Sequence, residues 1–551
     1  MRVALAQIDT TAGDVRGNVA RIEAAWQQAR AAGAGLVVCP ELAVLGYPPR
    51  DLLLREGVVR AALEAHEALA RRLAGGPPLL VGSVARNPRP TGPGLVNAAL
   101  LLRGGRVEAT YAKRLLPTYD VFDERRYFAP GEGPVVVEVE GRRLGLLVCE
   151  DLWGADRPQG RRLYDCDPPA EACRAGADLL VALSASPYHA GKDAQRLALF
   201  AGEARRLHVP LLAVHLVGGN DDVLFDGRSR VLGADGAERA RLAAFTEELR
   251  VLDLEATLAG APQPPEALEP AEELRRALVM GLAGYARKTG FTRALVGLSG
   301  GVDSAVVACL AADALGPAQV LGVSLPSRHT SAMSREDARE LATRLGIGWR
   351  ELSIEGPYAA FLAALEPAFE GKGADVTEEN LQARTRGAML MALSNKHGHL
   401  LLATGNKSEV SVGYCTLYGD TTGGLAVISD VWKGGVYALA RLYAAQGRLP
   451  ARTVTRPPTA ELRPGQLDTD ALPPYDVLDP ILRLRIEEGL SRAEIVARGV
   501  EPALAERVLR MVERNEYKRR QLAPGLKVTP VAFGSGWRMP LARPCDLSSE
   551  A

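Results

Sequence analysis

The chain has 551 residues, enough at roughly 150 residues per domain for three or four units, or for two large α/β domains. Its 66 basic and 66 acidic residues cancel, which argues against a nucleic-acid binder driven by bulk charge. With 47% hydrophobic and 24% charged residues it is not disordered throughout, and no apolar run reaches the ~18 residues of a membrane span. The first ten residues, MRVALAQIDT, enter strand-like alternation without the core of a signal peptide, so a cytoplasmic protein is expected. Seven cysteines, odd in number and without a C-x-x-C pair, read as reduced thiols. The seven histidines form no metal-binding array. Only nine of the 66 basic residues are Lys (113, 192, 288, 372, 396, 407, 433, 518 and 527), so each retained Lys is a mild hint of a site that wants a compact ammonium.

The first half predicts strands over 36–39 and 79–84, then a hairpin of 97–102 and 106–113 around Gly104-Gly105. A second hairpin follows over 135–140 and 144–149, with further strands over 179–184, 211–216 and 249–254. Helices are predicted over 18–32, 58–73, 169–175 and 192–207, giving a mixed α/β sheet domain. Four prolines in LAGAPQPPEALEPA (258–271) mark a linker, and the expected domains are 1–258 and 271–551. The second half alternates cleanly. Helix 272–289 precedes strand 294–298, helix 304–315, strand 320–325, helix 335–345, strand 349–353, helix 377–395 and strand 400–404. That order predicts a doubly wound parallel sheet with its ligands at the strand C-terminal ends.

Three strand ends of the first half carry reactive groups: Glu41 in Cys39-Pro40-Glu41-Leu42, Lys113 in Tyr111-Ala112-Lys113-Arg114, and Cys149 in Val148-Cys149-Glu150-Asp151-Leu152-Trp153. A carboxylate that takes the thiol proton, a thiolate that attacks an amide and an ammonium that steadies the oxyanion together suffice for amide hydrolysis. Singly, each is more often structural. Jointly, in this order and spacing, they resemble the nitrilase (carbon–nitrogen hydrolase) superfamily, as does Leu183-Ser184-Ala185-Ser186-Pro187-Tyr188 followed by Gly191-Lys192. The resemblance implies a four-layer α-β-β-α sandwich, Glu124 as a second carboxylate, and Tyr119, Ser186 and Lys192 as glutamine-binding residues. His189 is as readily a solvated loop residue as a substrate contact. Cys39 reads as core, and Cys166 with Cys173 does not read as a metal pair.

In the second half Gly297-Leu298-Ser299-Gly300-Gly301-Val302-Asp303-Ser304 joins a strand to a helix. Its glycines let backbone amides approach a phosphate, the helix N-terminus adds a favourable dipole, and Asp303 can hold Mg²⁺. The string resembles the pyrophosphate loop of the N-type ATP-pyrophosphatase synthetases, with their adenine nucleotide alpha hydrolase-like fold. Further segments narrow the likeness: Leu325-Pro326-Ser327-Arg328-His329-Thr330-Ser331, Asn380-Leu381-Gln382-Ala383-Arg384, Thr404-Gly405-Asn406-Lys407-Ser408-Glu409, Gly413-Tyr414-Cys415-Thr416-Leu417-Tyr418-Gly419-Asp420, Pro458-Thr459-Ala460-Glu461-Leu462 and Tyr517-Lys518-Arg519-Arg520. All resemble NAD⁺ synthetases, and with the first half the chain is similar to the glutamine-dependent NAD⁺ synthetase family.

That resemblance implies ATP as co-substrate, bound by Gly297, Leu298, Ser299, Gly300, Gly301, Val302, Asp303, Ser304, Thr404, Lys433 and Thr459. It implies Mg²⁺ on Asp303 and Glu409, and deamido-NAD⁺ on Arg384, Glu409 and Lys518. Small-molecule partners, a homo-oligomer and an enclosed ammonia passage between the domains are expected, with no nucleic acid and no membrane. Leu417 departs from the Lys often found there in ammonia-only synthetases. Lys407 is as readily a local structural cation as a ligand contact, Glu461 and Arg463 read as surface charges, and 464–479 reads as a lid or ordering loop. Other amidotransferases with this ATP loop are an alternative, but the asparagine type needs a cysteine at its mature N-terminus and residue 2 is Arg. An inactive dinucleotide-binding scaffold is another, opposed by the joint presence of Glu41, Lys113, Cys149, Asp303 and Glu409.

Overall fold

The computed structural model describes residues 1–154, 163–264, 266, 268–459 and 461–544. Ala460 of the segment 458–462, and Pro265 and Ala267 of the proline-rich stretch, lie outside the described residues. The chain divides into two compact units, Met1–Ala267 and Leu268–Ala551.

Unit 1 is built on two six-stranded sheets. One runs Glu248–Asp253, Arg2–Gln7, Leu36–Val38, Leu79–Arg86, Leu95–Arg103, Arg106–Ala112. The other runs Glu238–Arg241, Arg230–Leu232, Leu211–His215, Leu179–Ser184, Arg142–Val148, Val136–Val139. Central neighbours pair parallel and the hairpins close the edges antiparallel. The two-residue period of a strand explains the layering. Val3, Leu5, Leu36, Val38, Leu144, Leu146, Leu179 and Val181 fill the layer between the sheets. Their alternates Ala4, Ala6 and Val37 face helices Val15–Ala31 and Glu56–Arg72, while Leu180 and Ala182 face Pro168–Arg174 and Lys192–Leu207. The result is the four-layer α-β-β-α sandwich. Short strands at Val217–Asn220 and Val223–Asp226 form a small separate ribbon that composition did not flag.

The proline-rich stretch is not a free tether along its length. Gln263 N–H donates to Glu238 O at 2.7 Å, Arg241 to Pro264 O at 3.0 Å, and Arg228 to Glu266 at 2.7 Å, so Gln263, Pro264 and Glu266 are held along unit 1.

Unit 2 holds a five-stranded parallel sheet in the order Gly348–Glu351, Val320–Ser324, Ala294–Gly297, Leu400–Ala403, Leu425–Ala426. Four of these strands agree with the expectation, and the two-residue fifth was not foreseen. Chain order reverses across the central strand Ala294–Gly297, which places its C-terminal end in the crevice where open α/β sheets bind ligands. Beyond the sheet, helices Tyr475–Ile486 and Pro502–Arg514 bury Leu478, Ile481, Leu482, Val508, Leu509 and Val512 with Trp432 and Trp537 as a separate cluster. No helix among the described residues is long and apolar enough to cross a membrane. The six described cysteines are all free.

Candidate active sites

The first site lies at the strand ends of unit 1. Cys149 follows strand Arg142–Val148 and opens the short 3-10 turn Cys149–Leu152 at φ 42°, a left-handed conformation that an L-residue holds only where its surroundings impose it. Lys113 follows strand Arg106–Ala112, and its Nζ donates to Glu41 Oε1 and to Glu124 Oε1, both at 2.8 Å. Asn97 Nδ2 donates to Glu41 Oε1 at 2.7 Å, the Ala185 N–H to Glu41 Oε2 at 2.9 Å, and the Tyr47 hydroxyl to Glu124 Oε1 at 2.9 Å. All of these side chains are buried.

Two carboxylates on one buried ammonium need that ammonium charged. Burial works against the charge on Lys113, but Glu124 and Glu41 outweigh it and hold the group well above the usual lysine value. Burial pushes Glu124 up against the pull of Lys113. The Cys149 thiol is pushed up by burial and then by Glu41, and pulled down by Lys113, a balance that favours the neutral thiol over the thiolate. Cys39, pushed up to about 12 by burial alone, is the core residue that was expected.

The expected glutamine-binding residues surround the same turn. The Tyr119 hydroxyl donates to Glu150 at 3.0 Å, and Lys192 Nζ sits 3.9 Å over the Trp153 ring. Ser186 is buried next to Ala185, whose N–H binds Glu41. Glu150 itself was not singled out from the sequence. It is buried, accepts hydrogen bonds from Tyr119 and Tyr164, and is raised to about 7 by burial, against the opposing pull of Lys113 and the two tyrosines. Asn97 and Tyr47 were missed as well. His189 is nearly buried, with Nδ1 2.9 Å from Ala190 O.

The second site is a cavity of about 520 Å³ in unit 2. Residues Gly297 through Ser304, Thr404, Glu409, Lys433, Thr459 and Lys518 all line it. Strand Ala294–Gly297 ends at the loop and helix Val302–Leu315 begins beyond it; its N-cap, Gly301, makes no side-chain cap hydrogen bond among the described residues, so the first amides suit an anion. The two loop glycines differ. Gly300 has φ +83°, and a Cβ there would lie 2.4 Å from Ser334 O, whereas Gly301 has φ −84° and nothing nearer than Ser299 Oγ at 3.2 Å.

Lys433 Nζ bridges Asp303 Oδ2 at 2.7 Å and Glu409 Oε1 at 3.0 Å. Asn406 ties the pair together, donating to Asp303 Oδ1 at 2.8 Å while its Oδ1 accepts from Glu409 N–H at 3.1 Å. Burial raises Glu409 to about 7, with Lys433 opposing and Asp303 and Asp468 assisting. Asp468 accepts from Tyr475 at 2.9 Å and from Tyr414 at 3.3 Å, so a third carboxylate from the expected loop 464–479 belongs to the site.

Other assignments fall differently. Arg384 is exposed and outside the cavity lining, its Nε donating to Leu417 O at 3.2 Å. Lys518 lines the cavity but spends donors on Gly413 O at 2.7 Å and Cys415 O at 2.8 Å. Lys407 is fully buried on Asp430 at 2.9 Å and on Val531 O at 2.6 Å, which is the structural alternative. Glu461 is not a simple surface charge. It binds Arg456 at 2.5 Å and Ser334 Oγ at 2.8 Å at the cavity wall.

Residues 2–263 match the carbon–nitrogen hydrolase family model and residues 274–522 the NAD synthase model. A glutamine-dependent NAD(+) synthetase from Synechocystis is 44% identical over 98% of this chain and 98% of its own length. One from Thermotoga maritima is 41% identical with the same coverage of each chain. Among solved structures, the glutamine-dependent NAD+ synthetase from Acinetobacter baumannii in complex with ADP is 38% identical, covers 98% of each chain and superposes with a TM-score of 0.77.

Proposed function

The chain belongs to the glutamine-dependent NAD(+) synthetases, and from that premise we propose how its residues divide the reaction. The overall conversion takes deamido-NAD⁺, ATP, glutamine and water to NAD⁺, AMP, pyrophosphate and glutamate. Domains 1–258 and 271–551 carry one half each.

In the first half Glu41 accepts the Cys149 proton as the thiolate attacks the glutamine carboxamide carbon. The charged Lys113 ammonium steadies the oxyanion. Collapse expels ammonia, its nitrogen taking from Glu41 the proton that came from the thiol, and leaves a glutamyl thioester on Cys149 with Glu41 again a carboxylate. Water, deprotonated by Glu41, cleaves the thioester to glutamate and restores the thiol. Glu124 keeps Lys113 charged and placed, and its Oε2, buried without a hydrogen-bond partner among the described residues, is an acceptor open to the amide. Glu150, with Tyr119 beside it, offers the negative charge that suits the α-ammonium of glutamine, while Ser186 and Lys192 complete the pocket.

In the second half the nicotinate carboxylate of deamido-NAD⁺ attacks the α-phosphate of ATP. Pyrophosphate leaves and a mixed anhydride with AMP forms. Ammonia then attacks the activated carbonyl and AMP departs. The Gly297–Ser304 loop and the open helix N-terminus hold the phosphates, and Lys433 neutralises the charge that builds on pyrophosphate. Thr404 and Thr459 flank the nucleotide, and Lys518, on the cavity wall, serves the dinucleotide, whereas Arg384 lies outside that wall.

The donor set fits Mg²⁺, which takes one or two carboxylates plus substrate phosphates rather than an all-protein cage. No group of three His, Cys, Asp or Glu among the described residues forms such a cage, while Asp303 and Glu409 converge on one point now bridged by Lys433. They would hold the ion, which would supply positive charge to offset that of the phosphates.

The observation that carries this reading is the pair of separate constellations: a buried Glu41–Lys113–Glu124 set beside Cys149, and a carboxylate–Lys433 set below an open phosphate loop. The test is pyrophosphate release from ATP with deamido-NAD⁺ as the acyl substrate. Release that needs deamido-NAD⁺ supports the reading, and release driven equally by other carboxylic acids overturns it.

A further inference from the structure

Resting on Cys149 as nucleophile and Lys113 as its cation, we propose that Asp151 is the positioning residue of the glutaminase site, clamping the strand end that carries Lys113 to the turn that carries Cys149. Asp151 is fully buried, and its two oxygens have four donors among the described residues. Oδ2 accepts from the Val148 N–H at 2.9 Å and from the Tyr111 hydroxyl at 2.8 Å. Oδ1 accepts from the Arg114 and Leu115 N–H groups, both at 3.0 Å. Val148 immediately precedes Cys149, Arg114 immediately follows Lys113, and Tyr111 is two residues before it. Each of these four bonds therefore ends within two residues of Cys149 or Lys113.

The chemistry explains the choice of side chain. Only an ionised carboxylate offers acceptors on both sides and no donor. Burial raises the Asp151 carboxyl, and the Leu115, Val148 and Tyr111 donors pull it back. The bond to Val148 closes the turn in which Cys149 is held at φ 42°, and the bonds to Arg114 and Leu115 fix where the chain leaves Lys113. An amide at this position turns one side of the clamp into a donor facing N–H groups or the tyrosine, so one catalytic segment is released whichever way it flips. Asp151 touches neither Cys149 nor Lys113 as an acid or a base. It acts through their backbone.

The test uses full-length Asp151→Asn and Tyr111→Phe, with Cys149→Ala as control. Glutamine-driven kcat and KM, ammonium-driven NAD⁺ formation, and the pH profile of Cys149 alkylation by iodoacetamide are measured, the last on the Cys149 peptide by mass spectrometry. The clamp predicts that Asp151→Asn loses roughly ten- to hundredfold in glutamine-driven kcat with ammonium-driven turnover kept, as expected for an ångström-scale misplacement of reacting groups. It also predicts that the alkylation profile moves to higher pH, because Lys113 no longer stabilises the thiolate. Removal of a nearby negative charge alone moves the profile the other way, and a purely structural role lowers the melting temperature without moving it. Tyr111→Phe, which deletes one donor and no charge, is expected to show the same upward shift in smaller measure, and it keeps the test decisive if Asp151→Asn does not fold. A wild-type kcat, or a profile unchanged or shifted down, in the folded variant overturns the clamp. Glutaminase activity surviving in Cys149→Ala instead overturns the reading of the site on which it rests.

Discussion

Gly300→Ala tests the phosphate loop at the point where its shape is most constrained. The residue has φ +83°, a region that costs an L-residue about 1–2 kcal/mol. The new Cβ would also lie 2.4 Å from Ser334 O and 2.8 Å from Ser334 Cα, both backbone atoms that cannot swing aside. Forcing a methyl into such a contact costs about 1–3 kcal/mol more. The sum, about 2–5 kcal/mol, appears as lost stability or as a shifted loop. A shift of about 1 Å in the amides that face the phosphates costs roughly a hundredfold in rate. The assay is pyrophosphate release with ammonium as the nitrogen donor, beside thermal melting of the full chain. Gly301→Ala is the internal control, because its φ of −84° suits alanine and its nearest neighbour, Ser299 Oγ at 3.2 Å, can rotate away. It should change stability by less than about 1 kcal/mol. Wild-type melting and turnover in Gly300→Ala, or equal damage to stability from both variants, would refute the steric argument.

Asp303→Asn should remove NAD⁺ synthesis with glutamine and with ammonium alike, since it breaks both the Lys433 pair at 2.7 Å and one of the two carboxylates suited to Mg²⁺. Turnover restored by raised Mg²⁺ would identify a weakened ion site, and unchanged turnover at ordinary Mg²⁺ would exclude Asp303 as a ligand. Glu150→Gln should raise the KM for glutamine and leave ammonium-driven synthesis intact. The pH dependence of its stability has a definite sign. Burial holds Glu150 at about 7, above the ordinary carboxylate range, so the folded chain loses stability as pH rises from that range toward 7. The variant should therefore melt higher than the parent above pH 7 and no higher in acid; the opposite order, read by scanning calorimetry, would contradict the burial argument. Glutaminase turnover should rise when ATP and deamido-NAD⁺ are supplied, a coupling between ligand sites. A glutamate production rate indifferent to both would leave two independent activities on one chain.

The sequence made visible those features that repeat or punctuate. Two-residue alternation and glycine turns located the strands of unit 1, and the strand–helix alternation located four strands of the parallel sheet. Leu425–Ala426 is too short to show a period, and its place as a strand comes from pairing with Leu402 and Ala403. Helix Pro502–Arg514 has an apolar stripe that was open to reading, but its partners, Trp432 and Trp537, are distant in sequence and only the fold joins them. Lys113, Cys149 and Thr404 were legible as candidates because each directly follows a strand end. Asn97 was not, since it sits inside strand Leu95–Arg103, where a polar residue gives no sign of facing Glu41 until the sheet is assembled. Glu150 and Asp151 stood next to Cys149 in the sequence, yet their roles depend on Tyr119, Tyr111 and Leu115, which only the three-dimensional structure brings there. Lys407 shows the limit of scarcity as a clue: a rare lysine in a ligand motif turns away to hold Asp430.

The division of labour between the halves is tested most directly by measuring NAD⁺ formation by Cys149→Ala with each nitrogen donor. The thiol belongs to one unit and the phosphate loop to the other, so the account predicts complete loss with glutamine and near-parental turnover with ammonium salt. Equal loss with both donors, in a variant that melts like the parent, would contradict it.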